Sequence, residues 1–160
     1  MKFDLLNIVF ETINLIGRIM SSLQKRAWLA LWSMCPVYCV YFAIQIGFPD
    51  LLTTMLEHIG LFALTASIHA VAYVSGLLVI KRREAGEPLL EDERDRAIDA
   101  RGTRVAYFVL LTCMIVVGVV MPFNNGGWKL VNTALLAIVL SETVRYALIL
   151  IGYRGMRLAH

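Results

Sequence analysis

Four long apolar runs, separated by short polar punctuation, set the plan of this chain. They cover 27–48, 59–80, 105–121 and 128–151, each near the roughly 20 residues that a helix needs to cross a hydrocarbon core. Each has a recognisable boundary. Lys25-Arg26 precede the first run, Trp28 and Trp32 sit near its start, and Pro49-Asp50 close it. Lys81-Arg82-Arg83 stop the second, and Pro122 to Gly127 form a turn before Trp128 and Lys129 open the fourth. Tryptophan beside basic residues is the pattern of a membrane–water interface. Pro36 lies mid-run and removes one backbone donor. On the second run, Ala63, Ala66, Ser67, Ala70 and Ser75 give small and hydroxyl residues, which favour close helix packing in lipid.

Residues 3–24 follow a different pattern. Asp4, Asn7, Glu11, Asn14, Arg18 and Ser21 or Ser22 recur every three or four positions, drawing one polar line along an otherwise apolar helix. Such a helix lies in the interface, parallel to the membrane, because spanning would set several polar groups against hydrocarbon. Packing on the soluble domain of a partner is the other reading.

The segment 81–104, KRREAGEPLLEDERDRAIDARGTR, holds seven acidic and seven basic residues. Gly86 and Pro88 break it; from Leu89 onward the pattern is helical and runs without interruption into the third span. Asp92 and Glu93 pair with Arg96 at helical spacing. Asp92, Asp95 and Asp99 form an acidic stripe with Arg94, Arg96, Arg101 and Arg104 interleaved. This reads as an ion-pair network in preference to a divalent-cation site, since hard cations also want loop carbonyls.

Composition sharpens the reading. The chain has 160 residues, is 59% hydrophobic and has mean hydropathy +0.70, well above the roughly 45–50% apolar content of soluble domains. Thirteen of its 15 Lys and Arg fall in the N-terminal, central or C-terminal segments. The positive-inside rule then sets both termini and 81–104 in the cytoplasm. Net charge of +3 gives no nucleic-acid footprint. Cys35, Cys39 and Cys113 are odd in number, lie in apolar runs and form no CxxC, so no disulfide framework is expected. Asp4 and Glu11 interrupt the apolar core that a cleavable signal peptide would need.

The run Asp92-Glu93-Arg94-Asp95, followed by Ile98, Arg101-Gly102, Arg104 and Ala106-Tyr107 ahead of a span, carries a resemblance. It resembles small prokaryotic four-span membrane proteins of unknown function that share a D-E-R-D…I…R-[AG]…R-x-A-Y signature before their third span. The resemblance implies four spans and a prokaryotic inner membrane. It implies no activity.

Ionisable groups inside spans are the remaining candidates. Glu142 and Arg145 share one face of the fourth span, and His69 lies mid-way along the second. Counting a rise of about 1.5 Å per residue from the basic ends sets Cys35, His69, Cys113 and Glu142 in one layer, roughly 14–16 Å deep. Thiolate, imidazole and carboxylate suit zinc or copper. A bis-histidine haem would need a homodimer, since each chain offers one imidazole at that depth. His69 and Glu142 also suit a proton or cation path. Against these stands ordinary packing: cysteine behaves as a small hydrophobe, and Glu142 with Arg145 neutralise each other. No cofactor motif is present, and no nucleophile-and-base arrangement, phosphate-binding glycine loop or HExxH occurs.

The expected protein is all-α: a four-transmembrane-helix bundle with an N-terminal interfacial amphipathic helix and a cytoplasmic extension of the third span. Its expected role is a non-enzymatic scaffold or regulator in lipid. It presents Asp92, Glu93, Arg94, Asp95, Arg96, Asp99, Arg101 and Arg104 to a second copy or to a cytoplasmic or membrane partner. The alternative is a redox, metal-binding or ion-handling protein built on the His69, Glu142 and cysteine layer.

Overall fold

In hydrocarbon every backbone N–H and C=O must be paired within the chain, so long apolar runs become helices. The computed structural model describes residues 20–48, 51–84, 93–123 and 127–157, and no strand occurs among them. Four helices are long and apolar enough to cross a membrane: α1 (Ser22–Gly47), α2 (Met55–Glu84), α3 (Glu93–Ile115) and α4 (Trp128–Arg157). α3 continues as a π turn (Val116–Val120) and a 3-10 turn (Met121–Phe123). Gly127, at φ +61°, adopts the left-handed conformation just before α4, which glycine enters without a Cβ clash.

The helix starts are chemically defined. Ser21 caps α1 by accepting a hydrogen bond from Gln24 N at 3.3 Å. Residues 22–24 therefore belong to α1, which begins before the expected 27, and the rest of the proposed interfacial helix, 3–19, lies outside the described residues. At α2, Thr54 and Glu57 form a reciprocal capping box. Glu57 N donates to Thr54 Oγ1 at 3.4 Å, and Thr54 N donates to Glu57 Oε2 at 3.0 Å. α1 passes through Pro36 as one continuous helix.

The main interfaces run in the order α2–α1–α4–α3. α1 is central, and Ala27, Ala30, Met34, Tyr38 and Tyr41 form its buried stripe. Against it α2 turns His58, Phe62, His69 and Gly76, which meet Gln45, Tyr41, Tyr38 and Leu29 respectively. These α2 positions lie at helical spacing, and the partner numbers fall as they rise, as antiparallel neighbours require. Close packing through the small face of α2 does not occur among the described residues: Ala63, Ser67, Ala70 and Ser75 are exposed, and Ala66 is half-buried. Aromatic and polar residues occupy the seam instead, so the small residues fall on the other side of the same helix.

α3 and α4 form the closest-set interface. A Cβ added at Gly102 would lie 3.2 Å from the Arg145 carbonyl oxygen, and one at Gly152 would lie 3.1 Å from Ile98 Cγ2. Glycine at these two positions lets the backbones approach. Ser141 Oγ donates across the interface to the Ala106 carbonyl at 2.9 Å, in a buried setting. Large apolar side chains such as Trp32, Ile46, Leu56, Val71 and Phe123 are exposed. Water would penalise so much apolar surface, whereas lipid tails solvate it.

Candidate functional site

Polar chemistry gathers at the two ends of the helices, and the richer end is the one where α3 begins. From Glu93 to Phe123 the α3 helix and its two terminal turns run for 31 residues, a rise of roughly 46 Å against a hydrocarbon core of about 30 Å. Its polar part is 93–104. It is helical and continuous with the apolar part.

The two described acids of the sequence stripe point inward. Asp95 Oδ1 accepts a short hydrogen bond from the Tyr153 hydroxyl of α4, and Ser21 Oγ donates to the same Tyr153 oxygen at 2.8 Å. One turn further on, Asp99 Oδ1 takes Arg145 Nη2 at 3.1 Å. The Glu142 carboxylate is a looser partner, with Oε2 at 3.9 Å from Arg145 Nη1. The guanidinium also stands 5.6 Å from the ring centre of Tyr146. Lys25 Nζ, near the start of α1, reaches Glu84 Oε1 at the end of α2 at 3.6 Å. All four helices are thus tied at this end, and α3 is tied to α4 twice.

With Asp95 and Asp99 turned to α4, the bases take the other faces. Glu93, Arg94, Arg96, Arg101 and Arg104 are all exposed. Spacing divides them. Arg94 and Arg101 are seven apart and share one flank, while Arg96, Ala100, Thr103, Arg104 and Tyr107 lie on the side away from α4. Asp92 lies outside the described residues.

The mid-depth layer does not assemble. Cys35 Sγ lies 4.0 Å from Thr143 Oγ1, one residue from Glu142, so these two helices bring Cys35 level with Glu142. His69, however, packs edge-on against Tyr38 at 5.5 Å and beside Tyr73 at 6.3 Å, inside the α1–α2 seam. Glu142 turns to Arg145. Among the described residues, no three His, Cys, Asp or Glu side chains stand together as a metal site. Cys113 lies seven residues beyond Ala106, whose carbonyl meets Ser141, which sets it about 10 Å deeper than the Glu142 level, and the expected metal-ligand layer is not formed among the described residues.

The opposite end carries a second network, which sequence reading did not anticipate. The Tyr41 hydroxyl donates to Asn132 Oδ1 at 2.6 Å, and Gln45 Nε2 lies 3.4 Å from Tyr41 Oη and 3.3 Å from His58 Nδ1. His58 stacks on Trp128, with ring centres 5.1 Å apart and planes 25° apart. It joins α1, α2 and α4 where aromatic and polar groups meet the interface.

Tyr153 and Ser21 were also missed. A tyrosine after an apolar run carries no local signal of its partner, and Ser21 reads equally well as part of the preceding polar line. These features define a multi-pass helical membrane protein whose polar groups bind its own helices together at both ends. No family model, curated protein or solved structure matches the chain.

Proposed function

We propose that this chain is a non-enzymatic scaffold or regulator of a prokaryotic inner membrane. In this reading it offers the outer face of 93–104 to a second copy of itself or to another protein. The observation that carries it is the division of labour along that helix. Asp95 and Asp99 are engaged by Tyr153 and Arg145, which holds the helix against α4. Glu93, Arg96 and Arg104 remain on its exposed, outward side. A helix with one face docked and one charged face outward is preorganised to associate, since little ordering cost remains on binding.

The bias of Lys and Arg supports cytoplasmic placement of 81–104 and of both termini. The signature spanning Asp92 to Tyr107, with its resemblance to small prokaryotic four-span proteins, supports the choice of membrane.

Charge reversal tests the reading. R96E/R104E, expressed as the full chain in its native membrane, should lose self-association or partner capture by at least about tenfold, with like charges now apposed. The same variant should still insert, with all four spans in place, as the wild type does. Unchanged association in cross-linking of native membranes would end the proposal.

A further inference from the structure

We infer that the groove between α3 and α4 flanked by Arg94 and Arg101 is a binding site for an anionic phospholipid. The groove encloses about 550 Å³ and is walled by Arg94, Ala97 and Arg101 from α3 and by Leu148, Ile151 and Gly152 from α4. Its existence follows from the residues that make it. Gly152 has no side chain, and Ile98 from α3 packs directly over its backbone. Ala97 is short and exposed. The surface therefore recedes between two helices that otherwise touch.

The chemistry of the walls is divided across the groove. Arg94 and Arg101 are separated by two helical turns, about 10 Å along the axis, on one flank of α3. Both are exposed, and a guanidinium is the side chain whose planar geometry suits phosphate oxygens. Leu148 and Ile151 belong to the fourth apolar run and supply a hydrocarbon wall beside them. The nearest described acids on the other side of α3, Asp95 and Asp99, are held by Tyr153 and Arg145, so they do not line the groove. A wall bearing two arginines that faces an apolar wall, at the polar end of a spanning helix, complements a ligand with an anionic head and an acyl chain. Of the molecules that meet a spanning helix at that level, an anionic phospholipid has this form. Inorganic phosphate would leave the apolar wall unused. The site is independent of the association face, because Arg96 and Arg104 lie away from the groove.

The test uses the full chain in mild non-ionic detergent, with lipid retention read by native mass spectrometry. The probes are dioleoylphosphatidylglycerol, dioleoylphosphatidylcholine, inorganic phosphate and a polyglutamate peptide. The wild type should retain the anionic lipid at about tenfold lower concentration than the zwitterionic one, a preference of the size that basic residues at a membrane surface confer. R94Q/R101Q should erase that preference by removing the charge. A97W should erase it with the charge intact, by filling the groove; it keeps the inference testable even if the arginine variant folds poorly. R96Q/R104Q should leave it unchanged. Four results would overturn the inference. Preference surviving A97W, or falling equally in R96Q/R104Q, would mean diffuse attraction to a basic surface. Displacement of lipid by inorganic phosphate would mean an anion site without a lipid. Tighter binding of polyglutamate than of the anionic lipid would assign the groove to a protein.

Discussion

Replacing Arg145 with methionine should lower stability by about 2 kcal/mol, the largest effect expected from any single charge in the molecule. Breaking a buried ion pair by removing one partner costs roughly 3–5 kcal/mol, because the other charge is left unpaired. Here the Arg145 and Asp99 side chains are 30% and 39% exposed, so part of that cost is screened. Asp99 would lose its 3.1 Å partner, and Glu142 its looser one at 3.9 Å. The apparent melting temperature in detergent should fall by roughly 5 °C. D99N should also destabilise. The double variant D99N/R145M should be less damaged than the sum of the two, because it leaves a smaller unpaired charge. Additive losses would mean that the two side chains do not act as a pair.

The second large effect is steric. Gly102→Leu should cost about 1–3 kcal/mol, in the range of overpacked interiors. Its Cβ alone would stand 3.2 Å from a backbone oxygen, that of Arg145, and 3.4 Å from Ile149 Cγ1. A carbonyl cannot rotate away as a side-chain tip can, so α3 and α4 must separate. Separation would also stretch the Asp99–Arg145 pair and the Ser141–Ala106 hydrogen bond. Gly60→Leu is the matched control, since nothing lies within 4 Å of a Cβ there. It should be neutral or slightly stabilising, as leucine is a better helix former than glycine. Thermal unfolding of both variants in one detergent decides the matter. Equal losses at the two positions would remove the close α3–α4 contact from the account.

These two predictions also mark how far the sequence was legible. The spans were, because hydropathy is a local property summed over about 20 residues. The four helices match the apolar runs, with α1 beginning earlier at its Ser21 cap. Depth was legible only in part: a fixed rise per residue does bring Cys35 level with the Glu142 region, but the register of α3 on α4, with Ala106 against Ser141, sets Cys113 deeper. Rotation about the helix axis was not. Whether His69 faces Cys35 or the Tyr38 ring depends on how two helices pack. The apolar positions of a spanning helix do not fix that, because lipid and protein are equally apolar surroundings. The same ambiguity misassigned the small face of α2.

Long-range polar pairs were illegible for a related reason. Glu142 and Arg145 were visible as neighbours at helical spacing. Asp99 and Arg145, the tighter pair, are 46 positions apart, and Ser21 and Tyr153 are 132 apart. No periodicity connects residues at such distances. The capping box at Thr54 and Glu57, by contrast, is local and shows in the T-x-x-E spacing alone.

The central claim is that 93–104 is a platform fixed to α4 and not a loose arm. A cysteine pair tests it most directly. In a chain with Cys35, Cys39 and Cys113 replaced by serine, I98C/G152C sets two thiols across the interface. A Cβ at 152 lies 3.1 Å from Ile98 Cγ2, within the reach of a disulfide. Mild oxidation of native membranes should then protect nearly all thiols from a maleimide label. A100C/G152C, with Ala100 on the exposed outward side, should stay fully labelled. Free thiols in I98C/G152C, or equal protection in both pairs, would contradict a docked helix and the proposed function with it.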